Sequence, residues 1–528
     1  MRHFRVVFRP DGQEIAVHEG ASLLEAARQA GIILTTPCGG EGTCGKCVVL
    51  LQSSDGRVLA CQYRIESDLV VVVPPESRLY AHKILDHGLA GSGDVRPTTF
   101  ERYRKIAGAG GIHGVAIDIG TTTVVAKLLD MTAGRPLATR STLNPQTRYG
   151  DDVVSRITYG QSDDHLAELR SVIRDCVNEL IGALCRGTGL DVSAVYEVCI
   201  VGNTTMNHLF LGFPVEQLGR APYRPHSVDA HDIRPGDLGM KVNPAGNVHV
   251  VENIAGFVGA DTTAVAVAVD MDRTQDRTLV VDIGTNGELI LGAHGKLYAA
   301  SCAAGPALEG ARIQDGSRAA DGAIEAVSFV DDELALDIIG DAPARSICGS
   351  GLIDAVAVML DLGVVDQTGR FTSPEKLPQE IASRLIDSDG QPAFCLASET
   401  SSSRPRVVLT QKDVREVQLA KAAIRAGIQI LLDRVGMSDG EIDRVLLAGA
   451  FGNYIRPRSA VRIGLLPDVP LDRIQSVGNA AAVGAEMLLI SDTCRERAAE
   501  LARRIEYVEI AHTTDFADTF ADAMFLNP

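Results

Sequence analysis

The feature that most restricts the fold is a strand-turn-strand unit that occurs twice. Val115–Ile119 is apolar and carries Asp118 just before Gly120-Thr121, and the same D-I-G-T letters recur at Asp282–Thr285. The two copies are about 165 residues apart, which indicates an internal repeat of one structural unit. One tight hairpin with Asp and Gly would be unremarkable. Two copies predict two similar α/β half-domains that face one another.

The chemistry of these turns suits a nucleotide. Backbone amides of a Gly/Thr turn can surround phosphate oxygens, and an Asp at a strand end can hold Mg²⁺, usually through water. The predicted nucleotide contacts are Gly120, Thr121, Thr122, Gly284, Thr285 and Asn286. Asp118 and Asp282 are the predicted Mg²⁺-side catalytic residues.

A third segment, Val445–Asn453, is an apolar strand followed by glycines. Gly449 and Gly452 offer exposed backbone on which an adenine can lie, although the segment alone also fits an ordinary strand-to-helix turn. In this order and spacing, the three segments resemble the phosphate-1, phosphate-2 and adenosine motifs of the actin, sugar kinase and heat-shock ATPase superfamily. The resemblance implies two RNase H-like lobes that hinge over Mg-ATP.

The N-terminal part carries four cysteines in and after a glycine-rich loop. Their spacing is Cys38-x5-Cys44-x2-Cys47-x13-Cys61. Four thiolates suit an iron–sulfur cluster or zinc, but zinc sites usually show two short Cys-Cys pairs, and only Cys44/Cys47 has that form. The spacing is close to the plant-type C-x4-C-x2-C…C pattern. The loop therefore resembles that of [2Fe–2S] ferredoxins, with one extra residue in the first gap.

The remaining patterns around this loop predict a β-grasp module of two strands, a helix, the loop and two strands. The fold class is thus multidomain α/β and α+β: a β-grasp [2Fe–2S] ferredoxin domain followed by a two-lobed RNase H-like (actin-like) ATPase body. The predicted boundaries are 1–75 for the ferredoxin, 76–112 for a linker, 113–205 for the first lobe and 206–528 for the second. Helices are predicted at 165–186 and 415–434, and an irregular excursion at 365–410.

A ferredoxin fused ahead of such a body resembles the ATP-dependent reductive activators of corrinoid proteins. Further stretches carry this resemblance, namely residues 144–157, 302–313, 348–357 and 409–424. It implies an enzyme that transfers an electron from its cluster to a partner's inactive Co(II) corrinoid, restoring Co(I) for methyl transfer. Because the cobalt couple lies below the cluster's potential of about −400 mV, we expect ATP to act by favouring one state of the complex.

The water-activating group is the least defined part of the site. Asp261 and Glu309 are candidates, with an exposed Asp and a surface ion-pair Glu as the alternatives. His208 is expected to be structural or helix-capping rather than a corrinoid contact. Cys302 and Cys348 receive no role, since buried free cysteines are common.

Composition and sequence patterns argue against nucleic-acid-binding, membrane-spanning and secreted proteins. The formal charge of −18 argues against nucleic-acid binding, and no apolar run reaches the length of a membrane span. The start lacks a signal-peptide pattern, which predicts a cytoplasmic location. No flavin or nicotinamide fingerprint is present, so electrons are expected from a separate low-potential donor. The resemblance implies a corrinoid protein as partner, and a homodimer with a second copy of the chain is also expected.

Two other functions fit parts of the sequence. An ATP-gated electron donor to another metalloenzyme shares the same components, and so does a redox-sensing ATPase scaffold or chaperone. Retention of Asp118 and Asp282 argues against the scaffold. A small-molecule kinase leaves the ferredoxin unexplained.

Overall fold

The computed structural model describes residues 3–9, 13–18, 20–30, 32, 34, 42, 47–52, 56–74, 77, 95–107, 111–330, 333–340, 342–398, 406–449 and 454–527. Contacts divide the chain into two compact units. Unit 1 comprises residues 1–81 with 146–151, and unit 2 comprises residues 82–145 with 152–528. Over the described ranges, no helix has the length and apolar character needed to cross a membrane.

The described residues of unit 1 form a five-stranded sheet and one α-helix. The elements are β1 (His3–Arg9), β2 (Gln13–His18), α1 (Leu23–Gln29), β3 (Val48–Leu51), β4 (Gly56–Leu59) and β5 (Leu69–Val72). The strand order is β2-β1-β5-β3-β4, and β1 and β5 are parallel. The β-grasp arrangement is confirmed, but the predicted count of four strands is wrong. The short strand β4 was missed because its four residues show no clear alternation.

Local sequence explains why α1 begins where it does. The Ser22 hydroxyl accepts the backbone N–H of Glu25 at 3.1 Å, which satisfies one of the free donors of the first turn. The helix then buries Leu23, and the alternating pattern of β1 buries Val6 and Phe8. These side chains form the apolar core of unit 1.

Unit 2 contains two six-stranded sheets, each the centre of one lobe. The first-lobe strands are β6 (His113–Ile119), β7 (Thr123–Asp130), β8 (Arg135–Leu143), β9 (Val195–Gly202), β10 (His231–Ile233) and β11 (Asn247–Val250). The second-lobe strands are β12 (Thr278–Ile283), β13 (Gly287–Ala293), β14 (Lys296–Cys302), β21 (Arg444–Ala448), β22 (Ile474–Gly478) and β23 (Ile505–Tyr507).

The two large sheets share one design, which confirms the predicted repeat. In the first, β6, β7 and β8 form an antiparallel meander, and β9 adds in parallel beside β6. In the second, β12, β13 and β14 form the same meander, and β21 adds in parallel beside β12. The central strands are buried on both faces, as expected for sheets covered by helices.

Two small sheets extend the second lobe. Their strands are β15 (Ala323–Val330), β16 (Glu333–Ile338) and β17 (Ser346–Ile347) in one, and β18 (Leu385–Ser388), β19 (Gln391–Ala397) and β20 (Val407–Thr410) in the other. The prediction of an irregular excursion at 365–410 is therefore wrong for β18–β20. Its Pro, Ser and Gly residues suggested a loop, whereas Phe394 and Val407 are buried in the lobe.

Helices cover both large sheets. They are α2 (Arg104–Ala107), α3 (Val153–Tyr159), α4 (Asp163–Thr188), α5 (Thr204–Leu211), α6 (Ala260–Ala268), α7 (Gly349–Asp361), α8 (Gln379–Ala382), α9 (Gln411–Val435), α10 (Pro457–Arg462), α11 (Ala480–Ile490), α12 (Asp492–Arg504) and α13 (Phe516–Ala523). The predicted helices at 165–186 and 415–434 are confirmed as α4 and α9.

Helices α6 and α11 join the lobes. They pack so closely that a Cβ at Gly484 would lie 2.1 Å from the Ala264 carbonyl oxygen. One buried apolar cluster contains both helices together with Ala116 of the first sheet and Val280 of the second. The lobes of unit 2 are thus connected through a common core rather than through a loop alone.

Two of the expected boundaries differ from the structure. The first sheet continues through β11, so a lobe boundary at 205/206 divides α5 and assigns β10 and β11 to the wrong lobe. The expected linker 76–112 includes a short helical turn at Thr99–Arg102 and helix α2. The Thr98 N–H donates to the Ile490 carbonyl oxygen at 2.8 Å, which attaches this stretch to the end of α11.

Candidate functional site

In unit 1 the structure describes two of the four predicted cluster ligands, Cys47 and Cys61. Both thiols are buried, and their sulfur atoms lie 3.3 Å apart. A disulfide needs about 2.05 Å, so these sulfurs are not bonded to one another. The Ala60 N–H donates to the Cys47 carbonyl oxygen at 2.9 Å, which brings the two cysteines together. Converging sulfurs fit a shared metal centre. Cys38 and Cys44 lie outside the described residues.

In unit 2 the first D-I-G-T segment forms hairpin 1, residues 120–123, between β6 and β7. The Gly120 N–H donates to the Thr123 carbonyl oxygen at 2.9 Å. A Cβ at Gly120 would lie 2.7 Å from that oxygen, so the tight turn requires glycine. Asp118 stands near the end of β6, two residues before the turn.

The second D-I-G-T segment forms hairpin 2, residues 284–287, between β12 and β13. The Gly284 N–H donates to the Asn286 carbonyl oxygen at 2.9 Å. Asp282 is paired across the strands with Glu288. Hairpin 2 thus repeats the position of hairpin 1 at the same end of its own sheet.

The two hairpins touch. The hydroxyl oxygens of Thr122 and Thr285 lie 3.1 Å apart, although 163 residues separate them in the chain. Thr285 also donates its hydroxyl hydrogen to Glu309, whose carboxylate lies 3.8 Å from Arg318. Glu309 therefore lies beside hairpin 2 and also forms the expected ion pair, with Arg318. Its role as the water-activating residue stays a prediction.

Four carboxylates are near enough to influence the ionisation of one another: Asp118, Asp261, Asp282 and Glu288. Burial, and then the charges of Asp261 and Asp282, raise the pKa of Asp118 to about 8. Burial and Asp261 raise the pKa of Asp282 to about 7, and burial raises the pKa of Asp261 to about 6. The same causes raise the pKa of Glu288 well above its usual range. Clustered carboxylates with raised pKa values favour a bound cation.

A cation at this cluster would be held through water rather than by direct ligation. Within the described part of the chain, no three His, Cys, Asp or Glu side chains are grouped closely enough to bind a metal ion. Mg²⁺ commonly keeps several waters and uses only one or two carboxylates. The chemistry of the carboxylate cluster is therefore compatible with a hydrated Mg²⁺.

Asp261 is not the exposed residue of the alternative interpretation. It lies in the first turn of α6, where its carboxylate accepts the Thr262 N–H at 2.7 Å. Glu288 ends the second repeated segment in sequence, but it received no predicted role. Its position opposite Asp282 depends on the strand register, which the one-dimensional motif does not reveal.

The third segment places Gly449 directly after β21. Its φ angle is +94°, and a Cβ there would lie 2.6 Å from a carboxylate oxygen of Asp282. Glycine is therefore required where this turn approaches Asp282 of β12. Gly452 lies outside the described residues.

Polar side chains outside the predicted site also hold hairpin 1. The Asn144 side chain donates to the Gly120 carbonyl oxygen at 2.9 Å, and Asn203 donates to the Thr121 hydroxyl at 2.9 Å. Arg156 donates to the Thr121 carbonyl oxygen. The Thr121 side chain is thus turned toward Asn203 in the interior, and its predicted phosphate contact would be made by its backbone.

The structural assignment of His208 is confirmed. The ring is buried, its Nδ1 donates to the Thr204 carbonyl oxygen at 2.8 Å, and its Nε2 accepts the His226 N–H at 2.9 Å. Both nitrogens are occupied by the protein. Cys302 and Cys348 are also buried, and burial raises the pKa of each thiol, so neither is a reactive thiolate.

Comparison with family models agrees with this architecture. Residues 7–66 match the 2Fe-2S iron-sulfur cluster binding domain, residues 113–274 match the RACo middle region, and residues 276–528 match the C-terminal, ASKHA domain of RACo. The fold and the site together define a [2Fe–2S] ferredoxin joined to an ATP-binding body of the actin, sugar kinase and heat-shock class.

Full-length relatives specify the family. The corrinoid activation enzyme RamQ of Eubacterium limosum is 31% identical and covers 98% of each chain. A [Co(II) methylated amine-specific corrinoid protein] reductase of Methanosarcina barkeri is 25% identical over 75% of this chain and 73% of its own. The solved reductive activator for corrinoid, iron-sulfur protein is 32% identical, covers 99% and 98% of the two chains and has a TM-score of 0.73. This chain belongs to the family of ATP-dependent reductive activators of corrinoid proteins.

Proposed function

We propose that this chain re-reduces the Co(II) corrinoid of a partner protein to Co(I), the state needed for methyl transfer. The observation that carries the proposal is the contact between two D-I-G-T hairpins, one from each lobe, in a chain that also brings Cys47 and Cys61 together. The hairpins supply a nucleotide-binding clamp, and the cysteines supply a redox centre.

The proposed cluster ligands are Cys38, Cys44, Cys47 and Cys61. When bound, the [2Fe–2S] cluster supplies the single electron for each turnover. The protein's task is to hold four thiolates and keep water away from them, and the burial of Cys47 and Cys61 supports this role. The Gln62 side-chain amide, 3.6 Å from the Cys61 sulfur, adds a donor of the kind that tunes cluster potential.

The proposed nucleotide contacts follow the two hairpins. Hairpin 1 offers the backbone of Gly120, Thr121 and Thr122 together with the Thr122 hydroxyl. Hairpin 2 offers Gly284, Thr285 and Asn286. The backbone at Gly449 and Gly452 is proposed to face the adenosine. The meeting of Thr122 and Thr285 supports a site that both lobes close.

The carboxylates divide into two proposed roles. Asp118 and Asp282 hold hydrated Mg²⁺, which neutralises charge on the phosphates. Asp261 is the preferred water-activating residue, because its charge raises the pKa values of Asp118, Asp282 and Glu288 and it therefore lies among them. Glu309 remains a candidate on the other side of hairpin 2, since it accepts the Thr285 hydroxyl.

ATP is proposed to act by stabilising a closed state of the clamp that makes different contacts with the corrinoid partner. The chain itself provides a route for this coupling. Residues 95–107 follow the ferredoxin in sequence. The Thr98 N–H donates to the carbonyl oxygen of Ile490 at the end of α11, and the Thr98 hydroxyl accepts the Asp492 N–H. A shift of α11 during closure would therefore also move residues 95–107.

The proposal has three further parts, which concern the electron donor, the location and the oligomeric state. Electrons arrive from a separate low-potential donor, the chain acts in the cytoplasm, and two copies form a homodimer. The cytoplasmic location is supported by the described cysteines, which are all free thiols.

The function is tested by following the Co(I) absorbance band of candidate corrinoid proteins with a chemical reductant, with and without Mg-ATP. We expect Co(I) to form only with nucleotide, and Asp282→Asn to abolish the nucleotide effect. Asp164→Asn is the matched control, because Asp164 is an exposed residue in the first turn of α4. Equal rates of Co(I) formation without ATP would show that the proposed coupling is wrong.

A further inference from the structure

Three successive backbone carbonyls of hairpin 1 accept hydrogen bonds from other parts of the chain. The Gly120 oxygen accepts the Asn144 side-chain amide at 2.9 Å, and the Thr122 oxygen accepts the Asn144 backbone N–H at 2.8 Å. Between them, the Thr121 oxygen accepts an Arg156 N–H at 2.5 Å. Three successive carbonyl groups are therefore fixed by donors that come from two other parts of the chain.

This arrangement determines where the amide hydrogens point. In a planar trans peptide, the carbonyl oxygen of one residue and the N–H of the next point in opposite directions. Fixing the oxygens of Gly120 and Thr121 therefore turns the N–H groups of Thr121 and Thr122 the other way. Among the described residues, neither N–H is hydrogen-bonded to a protein acceptor. Adjacent amides of this kind form a concave site for an anion.

The side chains that bind hairpin 1 are themselves buried and make further contacts. Asn144 and Arg156 are fully buried, and Arg156 also contacts the Met206 sulfur at 3.2 Å. Asn203 holds the Thr121 hydroxyl and caps α5 by accepting the Met206 N–H at 3.0 Å. A buried guanidinium beneath the turn also adds positive charge on the side opposite the amides.

We propose that Asn144, Arg156 and Asn203, which we call the hairpin brace, are positioning residues for the nucleotide phosphates. They do not touch the nucleotide. They orient the Thr121 and Thr122 amides so that these amides bind phosphate oxygens without rearrangement. The inference rests on the proposed function, because it takes hairpin 1 to be a phosphate-binding turn.

The test compares Arg156→Met with Arg174→Met. Arg174 is a matched control, because it also donates to two backbone carbonyls, those of Phe210 at 2.8 Å and Leu211 at 3.1 Å, at the far end of α5. For each variant of the full chain we would measure the unfolding temperature, the apparent KM for Mg-ATP, kcat, and the rise in unfolding temperature caused by Mg-ATP.

We expect Arg156→Met to raise the KM for Mg-ATP by roughly tenfold or more, the usual effect of losing a charge-assisted hydrogen bond. Arg156→Lys keeps the charge and one donor and should recover part of this loss. Arg174→Met should lower the unfolding temperature but leave KM within about twofold of the wild type. Asn144→Asp removes the amide donor without a change of size and provides a second variant if Arg156→Met does not fold.

Each outcome has a definite meaning. If Arg156→Met and Asn144→Asp both keep the wild-type KM, the brace is merely structural and the inference is wrong. If Arg174→Met raises KM as much as Arg156→Met, the effect is general destabilisation and the inference is again wrong. If wild-type protein shows no response to Mg-ATP, the proposed function has failed instead.

Discussion

At the scale of single residues, the carboxylate cluster places buried acidic side chains close enough to interact electrostatically. Asp118, Asp261 and Asp282 each have a raised pKa, because burial opposes the ionisation of all three, and neighbouring carboxylates add to this effect at Asp118 and Asp282. A bound cation reverses that balance, because it favours the ionised forms. Proton release and cation binding are therefore linked at this site.

This linkage predicts that Mg-ATP binding releases protons near pH 7. The pKa of Asp118 is about 8 and that of Asp282 about 7, so both retain protons there before Mg²⁺ binds. Affinity for Mg-ATP should accordingly rise with pH between about 6 and 8. Calorimetry in buffers of different ionisation enthalpy measures the number of protons released. Asp118→Asn should reduce that number, and an unchanged number would contradict the assignment of Asp118.

A second residue-scale prediction concerns His208. Burial lowers its pKa to about 4, so the folded protein binds fewer protons than the unfolded chain below the usual histidine pKa of 6.5. Stability should therefore fall as pH falls from about 6.5 toward 4, by up to about 3 kcal/mol from this group. His208→Gln should flatten the dependence of the unfolding temperature on pH. His165→Gln, at an exposed position, is the control, and an equal effect of both variants would refute the prediction.

At the scale of secondary-structure elements, a buried ion pair attaches the interlobe helix α11 to the first sheet. Lys127 of β7 and Glu486 of α11 lie 2.8 Å apart, and both side chains are nearly inaccessible to solvent. A buried pair of this kind adds little to stability relative to apolar residues, but removal of one partner leaves a buried charge. The pair therefore connects α11 directly to β7 of the first sheet.

Glu486→Gln should consequently lower the free energy of unfolding by about 3 kcal/mol. The double variant Lys127→Met/Glu486→Leu should regain most of this loss, because no buried charge remains. Thermal unfolding of both variants checks the prediction. Glu500→Gln, in an exposed pair with Arg504, should change stability by less than about 1 kcal/mol. A double variant as unstable as Glu486→Gln alone would show that the packing, and not the charge, matters.

At the scale of the whole molecule, the redox centre and the clamp belong to separate compact units. Loss of the cluster should therefore leave nucleotide binding intact. We expect Cys61→Ser to lose the visible absorbance of the cluster and Co(I) formation, while it keeps the rise in unfolding temperature caused by Mg-ATP. Cys176→Ser, at a buried thiol of α4, should keep all three properties. A Cys61→Ser protein without an Mg-ATP response would show that the two units depend on each other.

Much of the fold could be predicted from local patterns. The D-I-G-T turns, the strands that flank them and the long helices α4 and α9 depend on residues close together in sequence, and all were predicted. The misplaced boundary at 205/206 and the missed strands β18–β20 depend on pairing with distant strands. Arg156 lies in the stretch 144–157 that carries the family resemblance, but it received no role, because a buried arginine cannot be distinguished in sequence from an exposed one.

The sequence by itself determined that this protein has two repeated phosphate-type turns and a ferredoxin-like set of cysteines. Both depend on short-range chemistry, namely the conformational freedom of glycine and the spacing of thiol ligands. Only the tertiary structure decided that Thr122 meets Thr285, that Asp261 and Glu288 join Asp118 and Asp282, and that Asn144 and Arg156 hold hairpin 1. These contacts arise from strand register and helix packing, which bring together residues that lie far apart in the chain.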